Sequence, residues 1–246
     1  MTLTLNCPQS RNALSLGMLK ALSLELDHAA KDPTVRVVVL QGAGPAFCAG
    51  HDLKEMRDAR FGGAYVEALF AQCTQVMLAI LRLPQPVIAQ VHGVATAAGC
   101  QLVATCDLAL AAEDARFATP GVNIGLFCST PMVALSRNVG RKAAMRMLLT
   151  GELIDAHTAI RIGLINEAVP AAELASRTQA LAATIGAKSP LVLAIGKEAF
   201  YRQAELSLAD AYAYTAQVMA QNLEKRDAQE GIGAFLDKRS PVWSGE

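Results

Sequence analysis

Three short, almost wholly apolar runs constrain this chain most. They are residues 35–40 (Val-Arg-Val-Val-Val-Leu), residues 87–91 (Val-Ile-Ala-Gln-Val) and residues 107–111 (Asp-Leu-Ala-Leu-Ala). They lack the strict apolar–polar alternation of a half-exposed strand, and the first two are β-branched, so all three read as strands covered on both faces. Residues 15–31 carry Met18, Leu19, Leu22 and Leu26 at helical spacing, and Pro33 follows as a stop. Residues 65–83 read as a second helix, ended by Pro84 and Pro86, and a turn at Gly93 opens an Ala-rich helical stretch through Ala104. The strand–helix–strand order predicts an α/β fold with a mostly parallel sheet.

From about residue 170 the pattern changes. Residues 173–187, 190–203, 208–223 and 231–239 all read as helices, and no strand interrupts them. This part is too thin to bury its own apolar stripes, such as Leu206, Ala209, Ala213 and residues 216–218. The expected division is a core over residues 1–187 and a helical oligomerisation region over 188–246, with the stripes packed on neighbouring subunits.

Composition removes several function classes. Lys+Arg and Asp+Glu are both 22, so the net charge is +0, which argues against a nucleic-acid binder or a polybasic membrane binder. No uninterrupted apolar run reaches the ~18 residues of a membrane span, and residues 1–6 lack the basic start and apolar block of a signal peptide. The charged fraction of 18% is low beside 52% hydrophobic residues, as for a chain with surface covered by partner subunits. The six cysteines (7, 48, 73, 100, 106 and 128) form no Cys-x-x-Cys pair and no zinc spacing. They read as reduced core residues, which predicts a cytoplasmic protein with no metal site.

Three loops carry the candidate chemistry. Residues 42–47 hold Gly-x-Gly without the third glycine of a dinucleotide fingerprint, so nucleotide binding of that type is not expected. Residues 47–54 (Phe-Cys-Ala-Gly-His-Asp-Leu-Lys) surround Gly50 and His51 with small residues, which lets main-chain N–H groups approach a ligand. Asp52 suits an N-cap, and Lys54 suits a phosphate. Residues 91–101 are nearly all small and enter a helix, whose free N–H groups and positive dipole end suit a carbonyl oxygen; tight helix–sheet packing is the plainer reading of the same pattern. A third loop, residues 117–129, is rich in turn residues and has no carboxylate. His28 and His157 read as surface or packing residues and His92 as structural. No base pairs visibly with Cys100, Cys106 or Cys128.

Together these segments resemble the enoyl-CoA hydratase/isomerase (crotonase) superfamily. The likeness also runs through residues 7–14 (Cys-Pro-Gln-Ser-Arg-Asn-Ala-Leu), 150–156, 163–169 and 230–239, in the family's order and spacing. The resemblance implies a spiral of ββα turns, a helical trimerisation region and a homotrimer or dimer of trimers. It implies a coenzyme A thioester as substrate or ligand, with no resident cofactor. The family's two backbone oxyanion donors fall on His51 and Ala98, and its residues near the CoA nucleotide on Lys54, Phe235 and Lys238. By the same likeness the chain begins late, within the first strand.

The departures are chemical. The family's two hydratase glutamates fall on Gln101 and Gly121, and the aspartate of the dienoyl-CoA isomerase pattern falls on Ser129. Gln exchanges no proton at neutral pH, and Gly has no side chain. The resemblance therefore implies weak hydratase activity, which replacing both residues by glutamate is expected to raise. Residues 50–52 (Gly-His-Asp) and 122–125 (Val-Asn-Ile-Gly) are also similar to methylmalonyl-CoA decarboxylase, whose tyrosine position is Cys128 here. A decarboxylase-type lyase and a non-catalytic CoA-ester binder are the alternatives.

Overall fold

A computed structural model describes residues 1–246. Five strands form a parallel sheet: β1 (Thr2–Leu5), β2 (Val38–Gly42), β3 (Val87–Val91), β5 (Leu108–Ala112) and β8 (Glu167–Val169), in the order β1-β2-β3-β5-β8. A second sheet is smaller, with β4 (Val94–Thr96) parallel to β6 (Arg116–Ala118) and β6 antiparallel to β7 (Ile154–Asp155).

The three central strands β2, β3 and β5 are buried on both faces, as their composition requires, whereas the edge strand β1 exposes Thr2 and Thr4. Val38, Leu40, Ala89 and Ala111 point into the main core, which α1 (Leu16–Lys31), α3 (Gly63–Arg82) and α4 (Ala98–Thr105) help to build. Val39, Ile88, Leu110 and Ala112 point the other way, where α8 (Leu174–Gly186) covers them with Leu174 and Ala182. Alternate residues of one strand thus fill two cores. α3 is long and apolar enough to suit a bilayer by composition, but Leu69, Cys73, Val76, Met77 and Ile80 lie inside the core.

The predicted α/β class and parallel sheet hold, with shifts at the edges. The first predicted strand starts at Val38 rather than Val35 and runs on to Gly42. Its partners set these bounds: Val38 pairs with Val87 of β3, and β1 pairs from Thr2↔Val39 through Leu5↔Gly42. The last predicted helix begins at Arg226, not Gly231, and ends at Leu236. Gly231 and Gly233 lie inside it and do not break it.

Along the chain the strands are also interleaved with α2 (Leu53–Asp58), α5 (Ser129–Asn138), α6 (Arg141–Thr150) and α7 (Ala156–Ile162), and the chain ends in α9 (Pro190–Gln203), α10 (Leu208–Leu223) and α11 (Arg226–Leu236). One buried polar cluster fastens α9 to the core. Lys197 Nζ donates to Asp107 Oδ2 at 2.7 Å, to Ile80 O at 2.9 Å and to Gln85 O at 3.0 Å. Tyr201 OH donates to Asp107 Oδ1 at 2.8 Å. The Lys197 side chain is only 7% exposed, so its partners supply what water would otherwise give. The outer helices keep Phe200, Leu208, Tyr212, Met219 and Leu236 exposed, together with Leu206, Ala209 and Ala213 of the predicted stripe.

Candidate active site

The loops after β2 and β3 leave the carboxyl edge of the parallel sheet, where open α/β sheets collect ligands. Asn12 holds the first loop. Fully buried, its Nδ2 donates to Ala43 O at 2.8 Å and Ala46 O at 2.7 Å, while its Oδ1 accepts from Cys7 N at 2.9 Å. The two loops then zip together. Phe47 N donates to His92 O at 3.0 Å, Cys48 N to Val94 O at 3.1 Å, and Thr96 N to Cys48 O at 2.9 Å.

Small residues are required where loop and helix meet. A Cβ at Gly99 would lie 2.1 Å from Cys48 O, so the first turn of α4 rests directly on the loop backbone. Gly50 has φ +99, and a Cβ there would sit 2.9 Å from Ala97 Cβ and 3.4 Å from Ala98 N. Gly50 and the start of α4 are thus face to face. Ala97, the residue before the helix, has φ 51 and ψ −118, a conformation that L residues rarely adopt and that the surrounding bonds impose.

Two N–H groups are left free at this junction. His51 N–H donates to no protein acceptor. Ala98 N–H is the first of α4 and has no acceptor within its helix. The positive end of the helix dipole adds to both. The positions read as oxyanion donors from the sequence are therefore neighbours in space.

The His51 ring is tied down separately. Its Nδ1 lies 3.3 Å from Leu14 O, and Phe70 meets it edge-on at 5.2 Å. Burial pushes its pKa below the usual histidine value, while the Leu14 carbonyl opposes that shift. The neutral ring that results carries its proton on Nδ1, toward Leu14 O, and leaves a bare lone pair on Nε2. That Nε2 is buried and has no partner.

The other sequence-predicted residues divide. Gln101 lies one turn beyond Ala98, on the same helix face. It is 6% exposed, and its Oε1 has no hydrogen-bond partner. Gly121 sits in the 3-10 turn Pro120–Ile124 and donates its N–H to Cys128 Sγ at 3.3 Å. A Cβ at Gly121 would be 2.6 Å from Leu126 O and 2.9 Å from Cys128 Sγ. The expected gain from glutamate there is thus blocked, because backbone and sulfur already fill the space a side chain needs. Burial raises the Cys128 thiol and pushes Cys100 up to about 12, so neither is a thiolate nucleophile at neutral pH. Ser129 is exposed, with Oγ 3.3 Å from Phe127 O.

Lys54 is exposed in the first turn of α2, whose N-cap is Asp52: its Oδ1 accepts from Lys54 N at 2.9 Å and Glu55 N at 3.3 Å. Phe235 is 82% exposed, and its helix packs on α9 and α10. Lys238, just beyond, has φ 55. No hydrogen bond joins either to the His51–Ala98 cluster. The sequence reading missed Thr119, which is fully buried with Oγ1 unpartnered beside the Gly121 turn. It also passed over Asn12, although the motif that contains it was noted.

Comparison with known proteins finds relatives over nearly the whole chain. A family profile described as enoyl-CoA hydratase/isomerase matches residues 1–246. A crystal structure of enoyl-CoA hydratase from Mycobacterium smegmatis is 57% identical with a TM-score of 0.95, covering 98% of this chain and 94% of that one. The crystal structure of human enoyl-CoA hydratase domain-containing protein 3 is 50% identical, also with a TM-score of 0.95, over 98% of this chain and 95% of that chain. The Xenopus laevis protein of that name is 51% identical over 98% of this chain and 81% of its own length.

These comparisons overturn the cytoplasmic expectation, since the Xenopus, mouse and human relatives are all named as mitochondrial proteins. Reduced, buried cysteines argue against an oxidising compartment but do not choose among reducing ones. In fold, motif order and full-length similarity, the chain belongs to the enoyl-CoA hydratase/isomerase family.

Proposed function

We propose that this chain binds a coenzyme A thioester with its carbonyl oxygen between the N–H groups of His51 and Ala98. The observation that carries this reading is the approach of Gly50 to Ala98 N, which sets two unspent backbone donors side by side at a helix N-terminus. Such donors hold negative charge as a thioester becomes an enolate. Lys54 and, from a neighbouring subunit, Phe235 and Lys238 would meet the CoA nucleotide. The exposed apolar faces of α9–α11 support a trimer or dimer of trimers, about 155 kDa for six closed chains of 25.9 kDa. No resident cofactor is needed for this chemistry.

The reaction is thioester-enolate chemistry with weak hydration. Gln101 moves no proton at neutral pH, and the Gly121 position has neither a carboxylate nor room for one. A second reading, decarboxylase-type lyase, is favoured by the neutral, half-buried His51 in a site poor in carboxylates. Loss of carbon dioxide leaves the carbanion directly and needs a hole rather than a strong base. Calorimetry with butyryl-CoA tests the binding step, and failure to bind removes the basis of the reading. Product analysis with enoyl and malonyl-type thioesters then separates hydration from decarboxylation. Binding of both without turnover would leave a non-catalytic CoA-ester binder.

A further inference from the structure

We infer that Glu55 and Tyr65 are positioning residues for the oxyanion hole, acting through the start of α1 to fix the direction of the His51 N–H; this rests on the proposed thioester reading. Neither residue is in the donor pair, and neither was singled out in the sequence. The chain of contacts is continuous. Glu55 Oε2 accepts from Leu16 N at 3.2 Å and also from the Tyr65 hydroxyl. Leu16 opens α1, two residues beyond Leu14.

Leu14 is the direct brace of the donor loop. Its N–H donates to Gly50 O at 2.7 Å, and its carbonyl accepts from Asp52 N at 3.4 Å. The same carbonyl meets His51 Nδ1 at 3.3 Å. Leu14 therefore bonds the peptide groups on both sides of His51 and its ring as well. Those bonds turn the His51 N–H away from Leu14, toward the Ala98 side.

The brace needs holding because the segment that carries it is otherwise loosely built. α2 has only six residues, one of them buried. The following turn places Arg60, Phe61 and Gly63 at positive φ, and Phe61 is largely exposed. Glu55 is the polar side chain of α2 that reaches another element, and Tyr65 on α3 caps it from the far side. Tyr65 keeps its proton throughout the working range, its pKa pushed up to about 12 by burial and by the neighbouring Glu55 carboxylate. It is a fixed donor rather than a switch.

The test uses the full chain and crotonyl-CoA, comparing wild type with Tyr65→Phe, Glu55→Ala and Glu55→Gln. Infrared difference spectra read the thioester carbonyl stretch, and calorimetry reads affinity for crotonyl-CoA and for free CoA. Tyr65→Phe is expected to keep the wild-type circular dichroism and its free-CoA affinity within about twofold. It should reduce the carbonyl red shift and weaken thioester binding about tenfold, the scale of a small donor misplacement. Glu55→Ala should do more, and Glu55→Gln should recover part of the shift, because an amide oxygen still accepts from Leu16 N. A purely structural role would lower thermal stability without moving the carbonyl band. If Glu55→Ala fails to fold, Tyr65→Phe alone decides. An unchanged band and affinity in folded Tyr65→Phe overturns this inference while leaving the hole intact. A wild-type protein with no red shift overturns the hole and the inference together.

Discussion

The two halves of the candidate site are built by opposite rules. Around His51 and Ala98 the loop and the helix entry meet through main chain, and at Gly99 not even a methyl fits between them. Around Gln101 and Gly121 the reverse holds: buried side-chain atoms of Gln101 and Thr119 lack partners, while Gly121 is crowded by Leu126 and Cys128. A half made of main chain tolerates change in residue identity as long as the backbone path is kept. A half that depends on side chains loses its chemistry when one residue changes. On the proposed reading, the contrast explains how a hole made of main chain persists where the glutamate positions hold Gln101 and Gly121.

The largest expected effect breaks the first half. Gly99→Ala would set a methyl 2.1 Å from Cys48 O, a backbone atom that cannot step aside cheaply. Overpacking of this kind costs about 3 kcal/mol, which for a chain of this size lowers Tm by roughly 6–12 °C. Thermal denaturation checks it. A Tm within a degree of wild type would show that α4 does not rest on the loop as described.

The next prediction concerns the missing glutamates. A positioned acid or base contributes about 10²–10⁴-fold, so hydration of crotonyl-CoA should run at least about a thousandfold below a glutamate-bearing relative. Gln101→Glu with Gly121→Glu should leave that rate nearly unchanged and lower stability by about 1–3 kcal/mol, since the second glutamate must displace Leu126 O. Loss of enoyl-thioester absorbance gives the rate. Recovery of brisk hydration by the double variant would mean that the 121–128 turn yields readily.

How much of this was legible in the sequence follows the same division. Residues 87–91 showed their strand because burial on both faces selects β-branched and apolar residues. The segments 47–54 and 91–101 showed through their density of small residues, since close backbone approach favours them, while the assignment of His51 and Ala98 within them came from the family resemblance. β4, β6 and β7 left no such trace: strands of two or three residues are set by the partners they meet. Asp107, Lys197 and Tyr201 meet across some ninety positions, and nothing local marks a charge as buried. Cys128 filling the space beside Gly121 likewise depends on how a turn folds back on itself. The loop–helix junction left a local trace because close backbone approach selects small residues, and the Glu55–Tyr65 contact left none, because it is tertiary.

A smaller effect sharpens the second half. The Gln101 Oε1 is buried without a donor, and such an unmade bond is costly, whereas an apolar group of similar shape carries no such cost. Gln101→Met is therefore expected to raise stability by about 1 kcal/mol, a Tm gain of roughly 2–4 °C. Affinity for butyryl-CoA, which offers nothing polar beyond its thioester, should stay within about twofold. A drop in Tm would show that Gln101 makes a stabilising bond in solution.

The smallest expected effect separates the His51 side chain from its own backbone. Burial lowers the pKa of the ring below its ordinary 6.5, so the unfolded chain takes up a proton there before the folded chain does. Between the lowered value and 6.5 the unfolded state binds more protons, and stability must fall as pH falls through that window. One group contributes a slope of at most about 1.4 kcal/mol per pH unit. Carboxylates add their own losses at lower pH, among them Glu230, held down at about 2 by the Arg239 guanidinium. The difference between wild type and His51→Gln removes those shared terms. Above 6.5 the two proteins should show parallel stability, and below it wild type alone should carry the extra slope. His51→Gln keeps the backbone N–H, so butyryl-CoA should still bind it at pH 7.5. Equal slopes in both proteins would show that the ring is not held neutral by burial. Lost binding at pH 7.5 would show that the imidazole, rather than the N–H behind it, meets the ligand.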